Sequence, residues 1–106
     1  MLDEIKRCFN QDKVLYTQHA RREMRYEPFG RILEQEVFQA IIAGEMIETY
    51  PQDTPYPSCL ILGFTNQDRA IHAVCAHEPE LDQVIVITVY EPDPELWVDY
   101  RRRKSL

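Results

Sequence analysis

Several sequence signals that mark common enzyme classes are missing from this chain. It has no Gly-rich phosphate-binding loop, no Ser nucleophile elbow, no CxxC pair and no paired-carboxylate motif. Its three cysteines, Cys8, Cys59 and Cys75, are odd in number and widely spaced. That is a poor disulfide framework and is typical of a reducing cytoplasm. We therefore expect free thiols and no cofactor.

Long hydrophobic runs are also absent, and no apolar stretch approaches the length that crosses a bilayer. The first seven residues lack the apolar core of a signal peptide, so we expect a cytoplasmic protein without a membrane partner. The net charge is −6, which argues against a pure nucleic-acid binder because such proteins usually carry a basic footprint. The length of 106 residues predicts one domain, residues 1–106, with a core of its own.

The run VIVITVY near the end of the chain is the element around which the predicted sheet is built. Its β-branched residues, without Gly or Pro, predict a central strand. Alternation places Ile85, Ile87 and Val89 on one apolar face, which helices are expected to bury. Thr88 and Tyr90 then lie on the opposite, open face, where we expect any active site to lie.

Hydrophobic periodicity predicts N-terminal helices followed by strands. The helices span residues 3–9, 19–25 and 34–43, and the strands span residues 46–50, 59–65, 69–76 and 84–90. Thr17 is the expected N-cap of the second helix, and Gly44 is the expected left-handed C-cap of the third. Asp93 and Pro94 predict the start of a short C-terminal helix. This order predicts an α+β fold with a four-stranded antiparallel sheet and helices on one face.

His19 and Arg22 are the first candidate pair for chemistry. Their spacing of three residues places an imidazole and a guanidinium side by side on one helix. Such a pair can bind a phosphate, with the histidine acting as acid or base. The alternative is an exposed polar helix face on which Glu23 pairs locally.

His72, Thr88 and Tyr90 are candidates on the predicted sheet. His72 interrupts an apolar run, so it is either a satisfied core histidine or a group on the open face. Tyr90 on an open face can stack on a base, and both hydroxyls can hold a phosphate. Their alternative role is structural, since Thr and Tyr are good strand residues.

A metal site is the weaker hypothesis from the histidine and cysteine positions. Cys75 and His77 share a strand face and, with Cys59 or Cys8, offer ligand atoms. No CxxC or HxxxH spacing accompanies them, so we expect no metal.

Basic residues form two clusters in this acidic chain. One surrounds the second helix, with Arg21, Arg22, Arg25 and Arg31, and the other is the tail at residues 101–104. Either cluster can track an RNA backbone. The alternatives are a solvated face and, for the tail, complementation of a helix dipole.

In order and spacing, a set of segments resembles the family called domain of unknown function 4258, over residues 15–92. The segments are His19-Ala-x-x-Glu23-Met24, Val37 to Ile42, Gly44-Glu-Met-Ile47-Glu-x-Tyr50, Pro57-x-x-Leu60-x-Leu62-Gly63, Ile71-His72-x-Val74 and Ile87-Thr88-Val89-Tyr90. That family is similar to small toxins of the RelE, BrnT and MqsR type. The resemblance implies a RelE-like toxin fold, metal-independent cleavage of RNA, and a partner antitoxin encoded nearby, such as a small zinc-finger protein.

The resemblance also implies roles for single residues. The matched positions are His19, His72, Thr88 and Tyr90, and Arg22 lies close to the basic position of the family's helix. RNA cleavage in such folds uses the 2′-hydroxyl as nucleophile, with side chains that move protons and stabilise the phosphate. The resemblance therefore implies acid–base catalysis by His19 or His72, with Tyr90 beside them, and substrate binding by Arg22 and Thr88.

Three hypotheses for function therefore stand. The first is a toxin-like endoribonuclease acting on messenger RNA. The second is a non-catalytic domain that binds a protein partner through the sheet face or the C-terminal helix. The third is a degenerate member of the family that keeps only the fold.

Overall fold

The computed structural model describes residues 1–105 and has three helices, a five-stranded mixed sheet and a small hairpin. The helices are α1 (Leu2–Asn10), α2 (Gln18–Arg25) and α3 (Glu34–Ile42); the strands are β1 (Val14–Tyr16), β2 (Glu45–Tyr50), β3 (Ser58–Phe64), β4 (Ala70–Glu78), β5 (Gln83–Tyr90), β6 (Trp97–Val98) and β7 (Arg102–Arg103). The α+β class predicted from the sequence is confirmed. Within residues 1–105, no helix has the length and apolarity that spanning a membrane requires.

The main sheet has the strand order β1-β5-β4-β3-β2. The predicted antiparallel meander is present as β2 to β5, but the prediction of only four antiparallel strands is wrong. The three-residue strand β1 adds a fifth, parallel strand beside β5, with Tyr16 opposite Val86. The sheet predicted from the sequence does not include this strand, because its pairing with the distant β5 leaves no local pattern in the sequence.

A β-bulge in β5 changes which side chains face the helices. Cys75 pairs with Val86 and Val74 pairs with Thr88, so Ile87 is the extra residue. As a result, Val84, Val86 and Val89 lie in the core, whereas Ile85 and Ile87 are only half-buried. The predicted helix-facing set is therefore right for Val89 and wrong for Ile85 and Ile87.

α2 closes the part of the β5 edge that β1 does not reach. Thr17 caps α2 as predicted, since its hydroxyl accepts a hydrogen bond from Ala20 N–H at 3.0 Å. Three side chains in and beside this helix then form hydrogen bonds with backbone groups at the end of β5. Thr17 Oγ1 donates to the Ile87 carbonyl at 3.1 Å. Glu23 accepts from Val89 N–H at 3.1 Å, and Glu27 accepts from Glu91 N–H at 2.9 Å. The edge is satisfied without a sixth strand.

α3 packs directly on the backbone of β3 because glycine lies at the contact. A Cβ atom at Gly63 would lie 1.8 Å from the carbonyl oxygen of Ala40. Gly44 was predicted as a left-handed cap, but the helix ends on Ala43 and, within residues 1–105, Gly30 is the glycine with a positive φ. Gly44 is instead needed for space, since a Cβ there would lie 2.8 Å from the Ala40 oxygen.

The prediction of a C-terminal helix is wrong, because the chain after Asp93 forms one turn and then the β6–β7 hairpin. Asp99 and Tyr100 adopt left-handed φ values of 53° and 61° at the hairpin turn. The hairpin lies on the sheet face opposite the helices, where Trp97 is 5% exposed and its ring centre is 4.5 Å from that of His72. Burial of a large aromatic ring against the sheet outweighs the local helix-start signal.

We expect Gly63→Ala to destabilise the protein by about 2–3 kcal/mol, because the added methyl group overlaps backbone atoms that cannot move independently. Urea denaturation measures this loss. Ala40→Gly serves as the second-site control and should not rescue the variant, since the clash is with the Ala40 backbone. A variant as stable as the wild type would contradict the close approach of α3 to β3.

Candidate functional site

The outer surface of α2 carries an exposed histidine held by a partly buried glutamate. The His19 side chain is 65% exposed, and its Nε2 lies 3.3 Å from Glu23 Oε1. The same oxygen accepts the Val89 N–H of β5, so the glutamate is fixed to the sheet. Burial raises the pKa of Glu23. In the neutral tautomer that donates from Nε2, the imidazole Nδ1 is available to accept a proton.

Three arginines on α2 and the loop after it have no acidic partner in residues 1–105. Arg22, Arg25 and Arg31 are exposed and make no ion pair there, whereas Arg21 pairs with Glu34 at 2.8 Å. A groove runs along α2 and is lined by Gln18, Arg21, Arg22, Arg25 and Tyr26. A second groove at the helix exit includes Arg25 and Arg31. The predicted cluster is therefore a continuous basic surface, which we call the α2 arginine surface and define by Arg22, Arg25 and Arg31.

The side chain of Arg69 holds the loop that carries Arg31 in place. The Arg69 guanidinium donates to the carbonyl groups of Gly30 and Arg31, the latter at 3.0 Å. Its charge is balanced by Glu36 at 3.2 Å and Glu91 at 2.6 Å. The loop thus has a defined position relative to α3 and the end of β5, although its side chains reach solvent.

Exposed aromatic rings lie next to the same arginines. Tyr26 is 71% exposed and Phe29 is 53% exposed, and Leu33 adds further exposed apolar surface. Exposed rings between cationic side chains are the arrangement that single-stranded nucleic acids use for base stacking and phosphate contact. The arginines were predictable from the sequence, whereas these rings were not, because only the exposure of the loop reveals them.

His72 lies on the other face of the sheet and is 0% exposed. Its Nδ1 is 3.1 Å from the Tyr90 hydroxyl, and its Nε2 is 2.6 Å from the carbonyl oxygen of Tyr100 in the hairpin. Burial lowers the pKa of His72, so the ring is held neutral. Of the two roles considered from the sequence, the structure shows the satisfied core histidine.

The predicted basic tail is tied to β2. Arg103 contacts Glu48 at 3.1 Å and lies over the Trp97 ring at 4.7 Å, and Arg101 pairs with Glu45. Glu48 also accepts a hydrogen bond from Tyr50 at 2.5 Å. These contacts hold the hairpin across the sheet face. Arg101 and Arg103 are therefore engaged within the protein.

The structure places the five predicted site residues in two groups. His19 and Arg22 lie on α2, whose Ala20 and Met24 pack in the core on the helix side of the sheet. His72, Thr88 and Tyr90 lie on the side covered by the hairpin, where burial raises the pKa of Tyr90 to about 12. The sequence placed Thr88 and Tyr90 together correctly but gave no indication that the C-terminal segment covers this face.

Cys59 and Cys75 lie opposite each other on β3 and β4, in the core under the helices. Burial raises the pKa of Cys59 to about 11, which makes it an inert thiol. Within residues 1–105, neither cysteine belongs to a group of three metal-ligand side chains. Of the ligands in the sequence hypothesis, Cys75 and Cys59 do not join His77 in such a group, whereas Cys8 does, together with Asp82.

We expect the wild-type protein to lose stability as the pH falls below about 6.5, the ordinary histidine pKa. Below that pH, His72 is protonated in the unfolded chain but stays neutral in the folded protein, where it is buried. His72→Gln should be less stable than the wild type at pH 7, but its free energy of unfolding should fall less than that of the wild type between pH 7 and pH 5.5. Each unit of pKa depression corresponds to about 1.4 kcal/mol. Urea denaturation at both pH values measures the difference. Equal pH dependence in the two proteins would contradict a depressed pKa for His72.

One of three comparisons with known proteins gives a match. The sequence profile described as "Domain of unknown function (DUF4258)" matches residues 16–91. This segment includes α2, α3 and strands β2 to β5, and it ends before the C-terminal hairpin. Searches of the curated proteins and of the solved structures give no significant match. Because the profile covers most of the chain, the protein belongs to the DUF4258 family.

Proposed function

We propose that this protein is a toxin-like, metal-independent endoribonuclease that binds and cleaves RNA at the outer surface of α2. The single observation that carries the proposal is the α2 arginine surface. Three exposed arginines without acidic partners in residues 1–105 lie on a chain of net charge −6, and one of them, Arg22, is one helical turn from His19 of the His19–Glu23 pair. Local cationic surface in an acidic protein favours a polyanionic ligand over a merely solvated face.

The chemistry requires few groups. His19 accepts the proton of an RNA 2′-hydroxyl through Nδ1 while Glu23 holds the ring at Nε2. The 2′-oxygen then bonds to phosphorus, the 5′-oxygen leaves and takes a proton from water, and a 2′,3′-cyclic phosphate remains. Arg22, one turn along the helix, stabilises the charge on the phosphate oxygens.

His72, Thr88 and Tyr90 are left out of this proposed site. The imidazole of His72 is fully buried and both its nitrogens have partners inside the protein. A general base must come within hydrogen-bonding distance of the proton that it removes. In this proposal, His72 and Tyr90 act by holding the hairpin on the sheet.

The proposal includes a relationship to small toxins of the RelE, BrnT and MqsR type and an antitoxin partner encoded nearby. Membership of a family of unknown function is compatible with this relationship, and the α+β architecture is of the expected class. The support that is specific to this chain is the basic surface and its histidine.

A non-catalytic protein-interaction module is the second candidate, and the apolar residues beside the arginines favour it. Tyr26, Phe29 and Leu33 are 71%, 53% and 49% exposed. Apolar and cationic side chains together fit an acidic segment that also carries hydrophobic residues, such as the chain of an antitoxin. A protein that binds such a segment but neither binds nor cleaves RNA would support this candidate.

We expect Arg22→Ala with Arg25→Ala to weaken binding of a single-stranded RNA about tenfold and to reduce the salt dependence, d log K/d log[salt], by about 1.4, since two phosphate contacts are lost. Fluorescence anisotropy at several salt concentrations measures both quantities. Arg102→Ala with Lys104→Ala is the matched control, because it removes the same charge at the exposed hairpin. Equal losses in the two double variants would mean that net charge, and not this surface, determines binding.

We expect His19→Ala to lower the rate of RNA cleavage in EDTA by roughly 100-fold or more, because the proton acceptor is lost. RNA binding should change little, which separates catalysis from affinity. Gln11→Ala, at an exposed position outside α2, is the control and should cleave normally. Cleavage of equal rate by the wild type and His19→Ala would refute the assignment of the base, and binding without any cleavage would favour the interaction module.

A further inference from the structure

A cluster of three metal-ligand side chains lies at the corner where α1 meets the turn between β4 and β5. Cys8 comes from α1, His77 from the end of β4 and Asp82 from the turn. One ligand atom from each residue lies within 4.8 Å of the other two. His77 Nε2 is 2.7 Å from Asp82 Oδ1, and Cys8 Sγ is 3.7 Å from the same oxygen.

We propose that Cys8, His77 and Asp82 bind a zinc ion. A thiolate, an imidazole and a carboxylate are ligands that Zn²⁺ takes in tetrahedral sites, and the thiolate disfavours the hard cations Mg²⁺ and Ca²⁺. On binding, the Cys8 thiol releases its proton to solvent, while His77 coordinates through the neutral Nε2. The site lies on a different part of the molecule from the α2 arginine surface and is independent of the proposed cleavage of RNA.

The cations around Asp82 leave one side of its carboxylate to the metal. Lys13 contacts Oδ2 at 3.3 Å, and the Arg7 guanidinium contacts Oδ2 at 2.7 Å and Oδ1 at 2.9 Å. His77 and Cys8 both approach Oδ1. The metal therefore coordinates Oδ1. Lys13 and one guanidinium nitrogen of Arg7 continue to contact Oδ2 and act as outer partners that orient the ligating carboxylate. The metal replaces the hydrogen bonds of His77 and Cys8 to Oδ1, and the second contact of Arg7, an exposed side chain, has to lengthen.

The corner is reachable from solvent. Cys8 is fully buried, but the side chains of His77 and Asp82 are 19% and 36% exposed. A shallow groove beside His77 is lined by Met1, Glu4, Tyr56, Pro57 and Pro79. Water from this groove, or Glu4, which lies one turn before Cys8 on α1, supplies the fourth ligand. Zinc bound here fastens α1, which lies outside the family segment at residues 16–91, to the end of the sheet.

Titration of the EDTA-treated, reduced protein with Co²⁺ tests the proposal. We expect one equivalent of Co²⁺ to produce a thiolate-to-cobalt charge-transfer band together with the visible bands of tetrahedral cobalt. Stoichiometric Zn²⁺ should displace the cobalt and raise the thermal unfolding midpoint. Cys8→Ser should abolish the charge-transfer band, and His77→Ala should weaken cobalt binding at least tenfold.

Cys59→Ala is the control for the other cysteines, because Cys59 does not belong to this group of ligand side chains, and it should retain the band. A folded wild-type protein that gives no charge-transfer band would overturn the proposal. So would a band that persists in both Cys8→Ser and His77→Ala. The His77→Ala variant keeps the test decisive if Cys8→Ser does not fold, since His77 is partly exposed and outside the core cluster.

Discussion

Side chains of α2 and of the residues that flank it, and not a sixth strand, complete the exposed edge of β5. Once β1 ends at Tyr16, the backbone groups from Ile87 to Glu91 need other partners, because unpaired strand edges are costly when buried and invite aggregation when exposed. Thr17, Glu23 and Glu27 supply them. This fixes the position of α2 on the sheet, and every feature of its outer surface depends on that position.

Glu23 joins this structural role to the proposed chemistry. The oxygen that accepts the Val89 N–H also lies 3.3 Å from His19, so the sheet orients the imidazole through one carboxylate. Outward from this pair, the same helix presents Arg22 and Arg25 to solvent. On the opposite face of the sheet, the hairpin buries His72 and uses Arg103 to bind β2. The two histidines of the predicted site therefore have separate roles.

The local features of this fold were predictable, and the long-range ones were not. Periodicity located α2, α3 and the four strands of the meander, and Thr17 was identified as a cap because its hydroxyl acts within one turn. The bulge at Ile87 reversed the alternation on which the face assignment depended. The hairpin replaced a predicted helix because Trp97 gains more from packing on His72 than from a favourable helix start. Of the proposed site on α2, His19 and the arginines were predicted from their spacing. The burial of His72, in contrast, depends on residues beyond the family segment.

Mapping of backbone amide chemical shifts during titration with a short single-stranded RNA distinguishes the proposed binding at the outer surface of α2 from binding at the face that carries His72, since it reports every residue at once. With RNA on α2, we expect the largest shifts within residues 18–33 and little change in residues 97–103. Shifts concentrated in the hairpin and β2, with α2 unaffected, would overturn this assignment and return the site to the covered face of the sheet.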